Sequence, residues 1–148
     1  MSKHLSDSSE QQKAEAYMLK ALERNLGLKF DPSASLSIDI GVEPDAIDPH
    51  QKVVVEAYAR VGPVKGAQLH KIKGDILKLA LVDKKLGEGW RKIICFASED
   101  AAKYVKGKSW VAEAARIFGV EVHVVKLPEN YESVVVAAQT RQKMVNPT

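Results

Sequence analysis

The sequence of 148 residues has one cysteine, no long apolar run and no glycine-rich phosphate loop. Cys95 stands alone in the apolar run IICFA, so an internal disulfide is excluded and a reducing compartment is favoured. No apolar stretch approaches the roughly 20 residues that a bilayer-spanning helix needs. The polar N-terminus, MSKHLSDSSEQQK, lacks the apolar segment of a secretory signal. We therefore expect a cytoplasmic protein that does not contact a membrane.

Several common kinds of active site also have little support in the sequence. Neither GxGxxG nor GxxxxGKS/T occurs, which weakens a nucleotide-binding interpretation. The chain has four histidines, and neither His4 nor His50 has partners at the spacing of metal ligands. No Ser-His-Asp or Cys-His set is convincing, so nucleophilic catalysis of that kind is not expected.

Charge is distributed unevenly along the chain. Residues 1–59 contain six basic and ten acidic side chains, whereas residues 60–108 contain twelve basic and five acidic ones. An acidic first part beside a basic middle indicates either two surfaces of opposite charge or a metal-binding pocket bordered by a surface that binds a polyanion. The alternative is an ordinary solvated helix that is rich in lysine.

The apolar periodicity predicts an α/β protein in which a mixed sheet is flanked by helices, in the order αββαβααβα. Helices are expected at 10–26, 67–86, 98–105, 109–118 and 129–145, and strands at 36–40, 52–61, 91–98 and 120–127. We expect residues 10–148 to form a single domain after a flexible tail of residues 1–9.

Two acidic residues fall on the predicted hairpin that the first two strands form. Asp45 lies in the turn segment PDAIDPHQ, and Glu56 shares one face of the second strand with Val54 and Tyr58. Two neighbouring carboxylates repel each other unless a cation or a proton lies between them. Mg²⁺ or Mn²⁺ would suit such a pair and would support phosphodiester hydrolysis. Alternatively, Asp45 is a turn residue and Glu56 pairs with a lysine, while Asp39 is a rival for the first acid.

The long helix after the hairpin carries a polar stripe. Gln68, Lys71, Asp75 and Lys78 are spaced three or four residues apart, so they lie on one side of the helix, beside its apolar face. A polar stripe at this border tends to line a cleft. The alternative is a charged surface on which Asp75 bridges Lys71 and Lys78.

These motifs together resemble the PD-(D/E)XK nuclease superfamily. The shared pattern is Pro44-Asp45, then Glu56 on a strand, then a helix that carries glutamine and lysine, within residues 10–127. The resemblance implies that Asp45 and Glu56 bind the metal, and that Glu15 on the first helix is an additional acid near it. It also implies that Gln68 orients groups around the site.

The sequence departs from that superfamily at one position. Tyr58 occupies the place of the usual lysine and cannot supply its positive charge. In some members this lysine has moved to a neighbouring element, and Lys71 is our candidate for that role, with Lys65 as the second choice. If neither lysine reaches the acids, the domain binds nucleic acid without cutting it.

The partner that these features favour is nucleic acid, and DNA rather than RNA. Lys65, His70 and Lys78 are the expected contacts to its phosphates. Small enzymes of this fold often act as dimers, and the apolar run VVVAA at 134–138 suits a homodimer interface. We therefore expect a magnesium-dependent nuclease. The alternatives are an inactive nuclease-fold module that binds nucleic acid or protein, and an α/β domain whose acids are structural.

Overall fold

The computed structural model describes residues 9–36, 41–87 and 89–145. In this part of the chain, the helices and strands follow the order αββαβααβα, as expected from the apolar periodicity. The elements are α1 (Ser9–Leu26), β1 (Ala46–Asp48), β2 (Val53–Tyr58), α2 (Ala67–Leu86), β3 (Arg91–Phe96), α3 (Glu99–Lys106), α4 (Trp110–Ile117), β4 (Val120–Val124) and α5 (Glu129–Val145).

The four strands of the described residues form one mixed sheet in the order β1-β2-β3-β4. β1 is antiparallel to β2, while β3 and β4 continue the sheet in parallel. Parallel neighbours need a crossover, which α2 provides between β2 and β3, and α3 and α4 provide between β3 and β4. The α/β class expected from the sequence is therefore confirmed.

Every side chain of β2 is buried, because helices cover both faces of the sheet. Val53, Val55 and Ala57 pack in one core with residues of α1 and α5. Val54 and Tyr58 point the other way and pack in a second core with residues of α2, α3 and α4. Since side chains alternate along a strand, Glu56 shares the α2 side of the sheet with Val54 and Tyr58.

The hairpin is formed by a different segment from the one that the sequence pattern predicts. The expected first strand was 36–40, but 37–40 lie outside the described residues, and β1 begins only at Ala46. Part of the expected turn segment thus pairs with β2, and the turn itself occupies 49–52. The sequence pattern favours 36–40 as the first strand because apolar residues alternate there. The AID run that forms β1 has only three residues, which is too short to show such a pattern.

Asp48 holds the hairpin turn in place. Its carboxylate is buried and accepts hydrogen bonds from the backbone N–H of Lys29, at 2.8 Å, and of Gln51, at 3.0 Å. Burial by itself raises the pKa of Asp48, but these backbone donors outweigh it and hold the pKa below its usual value. The aspartate therefore ties the hairpin to the segment after α1.

Cys95 is fully buried in the sheet and acts as a small core residue. Burial raises the pKa of its thiol to about 12, so the thiol stays protonated and unreactive at neutral pH. Each helix in the described residues is too short or too polar to cross a bilayer.

We expect Asp48→Ala to lower the free energy of unfolding by about 1–3 kcal/mol at neutral pH, because two part-buried hydrogen bonds from backbone N–H groups to this carboxylate are lost. A depressed pKa contributes stability above the usual value of 3.8 that is lost as the pH falls through the folded-state pKa. The difference between variant and wild type should therefore shrink in strong acid. Urea denaturation at pH 7 and pH 3 measures it.

The control for that experiment is Asp100→Ala on α3, whose exposed carboxylate makes only a 3.9 Å surface ion pair with Lys103. This change should cost less than about 1 kcal/mol. Equal effects of the two substitutions would contradict a structural role for Asp48.

Candidate functional site

Asp45 and Glu56 lie opposite each other across the hairpin. β1 pairs with β2 so that Ala46 faces Val55, and one step further along the same register Asp45 faces Glu56. Asp45 immediately precedes β1, and its carboxylate accepts a hydrogen bond from the backbone N–H of Ala57 on β2 at 2.8 Å. This bond fixes Asp45 beside the strand that carries Glu56. The proximity of the two acids that the sequence predicts is therefore present in the structure.

The Glu56 carboxyl group is buried, with only 4% of the residue exposed. Burial, followed by the charges of Asp45 and Asp75 and a hydrogen bond with Asp45, raises its pKa to about 9, although the charge of Lys71 opposes this rise. Without a cation, Glu56 therefore carries a proton at neutral pH and shares it with Asp45. Its Oε1 atom has no hydrogen-bond partner among the described residues.

α2 brings a positive charge to this acid pair. The ammonium group of Lys71 lies 3.2 Å from the Asp75 carboxylate, four residues later on the same helix. Burial by itself lowers the pKa of Lys71, but the charges of Asp75, Asp45 and Glu56 outweigh it and raise the pKa. Lys71 thus stays charged within the electrostatic field of the acid pair. The structure brings together Asp45, Glu56 and Lys71, which the sequence interpretation placed in one site.

Asp75 is the fourth ionisable member of this group, and we call Asp45, Glu56, Lys71 and Asp75 the acid–lysine cluster. Only 4% of the Asp75 side chain is exposed, whereas the side chains of Lys71 and Lys78 are 54% and 51% exposed. Asp75 bridges the two lysines, at 3.2 Å and 4.0 Å, as one interpretation of the polar stripe predicted. Burial raises the pKa of Asp75, although both lysines oppose this rise.

From the sequence, Asp75 is expected only as a member of the polar stripe on α2, with no role of its own at the two acids. Two features of the sequence indicate that Asp75 is buried and paired. It follows Lys71 by one helical turn, and it lies between Ile72 and Ile76 on the apolar side of the helix. Buried carboxylates are rare unless they are paired. A carboxylate at the border of an apolar face, one helical turn from a lysine, therefore predicts a buried ion pair.

Tyr58 follows Glu56 on the same face of β2 but supplies no positive charge. Its ring is buried and tilts against Phe96, with 5.6 Å between the ring centroids. Burial raises the pKa of its hydroxyl group to about 12, so the side chain is neutral at physiological pH. The cation near the acids therefore comes from α2 and not from the strand.

Three other predicted site residues lie at or just before the beginning of α2. Gln68 is in the first turn of α2, where its side-chain oxygen accepts the backbone N–H of Lys65 at 3.2 Å. Lys65 and His70 are exposed near the same end of this helix. A role for Gln68 in orienting groups at the acids, and for Lys65 and His70 in contacting phosphates, stays a prediction.

Glu15 is half-buried on α1, and α1 packs against the sheet face opposite α2. Its assignment as an additional metal ligand therefore also stays a prediction. Asp39, the rival of Asp45, lies outside the described residues.

The donor set suits a hard cation better than a soft one. In the described part of the chain, no three His, Cys, Asp or Glu side chains form a ready-made metal site. Mg²⁺ often takes only one or two protein carboxylates and keeps several of its waters. The Asp45–Glu56 pair, with an unsatisfied buried oxygen on Glu56, fits that requirement.

The described part of the chain has an α/β fold in which helices flank a mixed four-stranded sheet. One solved structure that shares it is a repair endonuclease from Pyrococcus abyssi, with a TM-score of 0.51 and 16% sequence identity. The alignment covers 86% of this chain and 50% of that chain, so this chain spans half the length of the endonuclease. No family model and no curated protein matches the sequence. At this identity, the likeness establishes the fold.

We expect Glu56→Gln to stabilise the metal-free protein, and to do so more at pH 8 than at pH 5. A raised pKa contributes stability that is complete below the usual value of 4.5 and is lost as the pH rises towards about 9. The glutamine carries no proton to lose, so its advantage should grow by about 1 kcal/mol or more between these pH values. Chemical denaturation in EDTA measures the difference.

Glu99→Gln on α3 is the matched control, because its exposed carboxylate lies outside the cluster and pairs only with Lys106. Its effect should change little with pH. If the two glutamine variants show the same pH dependence, Glu56 does not hold a proton in the folded protein.

Proposed function

We propose that this domain is a metal-dependent nuclease-like hydrolase that cleaves phosphodiester bonds of nucleic acid. The observation that carries the proposal is buried Glu56 beside half-buried Asp45, with one Glu56 oxygen unsatisfied and with the charged amine of Lys71 close enough to interact electrostatically with both acids. Such a combination costs stability when no ligand is bound. A cation and a phosphate would together satisfy both of its charges.

Asp45 and Glu56 are the residues that would hold Mg²⁺ or Mn²⁺. Such an ion, when bound, lowers the pKa of a coordinated water and polarises a phosphoryl oxygen. Asp45 is already oriented by the N–H of Ala57, and Glu56 by its place in the centre of a buried strand. We propose that Gln68 orients groups around this site, whereas Glu15 has no role in the proposal because α1 packs against the opposite face of the sheet.

Lys71 would stabilise the negative charge that develops on the phosphate during the reaction. Its side chain is half-exposed, so a substrate can reach the ammonium group while Asp75 holds it in place. This arrangement supplies from α2 the charge that Tyr58 cannot supply from β2. Loss of a single such donor typically costs a hundredfold or more in rate.

Nucleic acid would approach along the exposed side of α2. Lys65, His70 and Lys78 are exposed there, in the part of the sequence where basic residues exceed acidic ones. Phosphate contacts of this kind provide affinity that falls with salt and does not depend on sequence. The endonuclease that shares the fold supports nucleic acid as the substrate, and we propose DNA ahead of RNA.

A second candidate function is a nuclease-fold module that binds nucleic acid or a protein partner without cutting. The buried, neutral Tyr58 favours it, since the strand then lacks its own cation. A homodimer through α5 is compatible with either function. Val134 and Val136 of the VVVAA run are 45% and 44% exposed, while Val135 and Ala138 between and beside them are buried.

We expect wild type to bind Mn²⁺ in calorimetric titration, and Asp45→Asn and Glu56→Gln to lose this binding while remaining folded. Lys71→Met should retain the metal but cleave plasmid or oligonucleotide DNA at least about a hundredfold more slowly, because it removes only the charge at the phosphate. Lys103→Met on α3, whose side chain is 79% exposed, is the matched control and should retain both properties.

Three outcomes separate the candidates. Metal binding with cleavage that depends on Lys71 supports the nuclease. Salt-dependent DNA binding without metal binding or cleavage supports the inactive module. A folded protein with neither metal nor DNA binding overturns both, and leaves the acid pair as a structural feature.

A further inference from the structure

A groove between α1 and α5 lies on the side of the sheet opposite the α2 helix. Its cavity volume is about 590 Å³, within the range of sites for small organic ligands. We call it the tyrosine groove. The residues that give it chemical character are Lys13, Tyr17, Lys20, Glu23, Arg24 and Tyr131. None of them belongs to the acid–lysine cluster.

Two tyrosine rings form the aromatic part of the groove. Tyr17 from α1 and Tyr131 from α5 lie with their ring centroids 5.2 Å apart and their planes tilted by 34°. Both residues are half-buried, so each ring packs against the core and still lines the groove. Tyrosines held in this way provide a rigid surface on which a planar base can stack.

Cations run along the groove instead of collecting at one point. Lys13, Lys20 and Arg24 are exposed and are separated by seven and four residues on α1, so they lie on the same side of the helix as Tyr17. At 1.5 Å per residue, they extend over roughly 16 Å of the helix. A row of cations of this length suits a chain of phosphates better than a single anion.

The one acidic side chain of the groove is already engaged. The Glu23 carboxylate accepts the backbone N–H of Phe30 at 2.8 Å, which holds it at the C-terminal part of α1. Three cations against one carboxylate leave the lining positive. Positive charge combined with aromatic rings is the pattern of surfaces that bind single-stranded nucleic acid.

We infer that the tyrosine groove binds a short segment of single-stranded nucleic acid. Bases stack on Tyr17 and Tyr131, and phosphates lie along Lys13, Lys20 and Arg24. An acidic peptide would satisfy the cations but would leave the two rings without a planar partner. The inference does not depend on cleavage, because the groove and the acid–lysine cluster belong to opposite faces of the sheet.

The test is fluorescence anisotropy with a labelled oligothymidine, carried out in EDTA over a series of salt concentrations. Tyr17→Leu combined with Tyr131→Leu should weaken binding about tenfold or more, whereas the double Tyr→Phe variant should bind like wild type because it keeps both rings. Lys20→Gln combined with Arg24→Gln should weaken binding and lower the salt slope by about 0.7 for each lost phosphate contact.

Three features of the experiment make the result specific to the groove. Lys29→Gln combined with Lys126→Gln removes the same charge from exposed positions outside the groove and should change affinity far less. The EDTA in this assay removes the metal on which the catalytic proposal depends, so that failure of the catalytic proposal remains distinguishable from failure of this one. Thermal denaturation checks that each variant is folded, and the charge variants keep the test informative if the leucine variant is not.

Loss of affinity in both groove variants, with retention in the phenylalanine and Lys29–Lys126 variants, supports the inference. Equal affinity of all variants overturns it. An oligoglutamate peptide that competes as well as oligothymidine, and that binds independently of the two rings, also overturns it in favour of an acidic protein partner.

Discussion

The burial of one glutamate in the central part of the sheet is the constraint on which the rest of the site depends. Glu56 occupies a strand whose other side chains are apolar or aromatic, and whose two faces are both covered by helices. A carboxyl group in such a place needs a proton, a cation or an ion-pair partner. Asp45 is itself an acid, and its negative charge makes ionisation of Glu56 still less favourable. The protein keeps this arrangement through the bond from Ala57 to Asp45.

The charge balance around that glutamate is set by α2. Asp75 is buried and would add a third negative charge, but Lys71 and Lys78 both lie near it and compensate for it. Isolated pairs of this kind on a helix surface contribute only tenths of a kcal/mol. Here, one partner is buried beside two further acids, which makes the position of Lys71 far more specific than that of an ordinary surface lysine. Tyr58, by contrast, contributes packing against Phe96 and no charge.

The two faces of the sheet carry different chemistry because the side chains of β2 alternate between them. The α2 face contains the acid–lysine cluster, and the α1–α5 face contains the tyrosine groove with its exposed cations. A domain that uses both would hold a nucleic acid at one surface and act on it at another. Gln139 of α5 also accepts the backbone N–H of Val61 and donates to its carbonyl group, which fastens α5 to the segment that leaves β2.

The sequence by itself determined the order of elements, the bounds of α2 at 67–86 and of α5 at 129–145, and the face of β2 that carries Glu56. These follow from periodicity, which is a local property of the chain. It did not locate β1, since a three-residue strand is defined only by the partner with which it pairs. The protonated state of Glu56, the part played by Asp75 and the pairing of Tyr17 with Tyr131 were decided by the tertiary structure alone. Each of them depends on distance and burial between residues far apart in the sequence, or on which side of a helix faces the core.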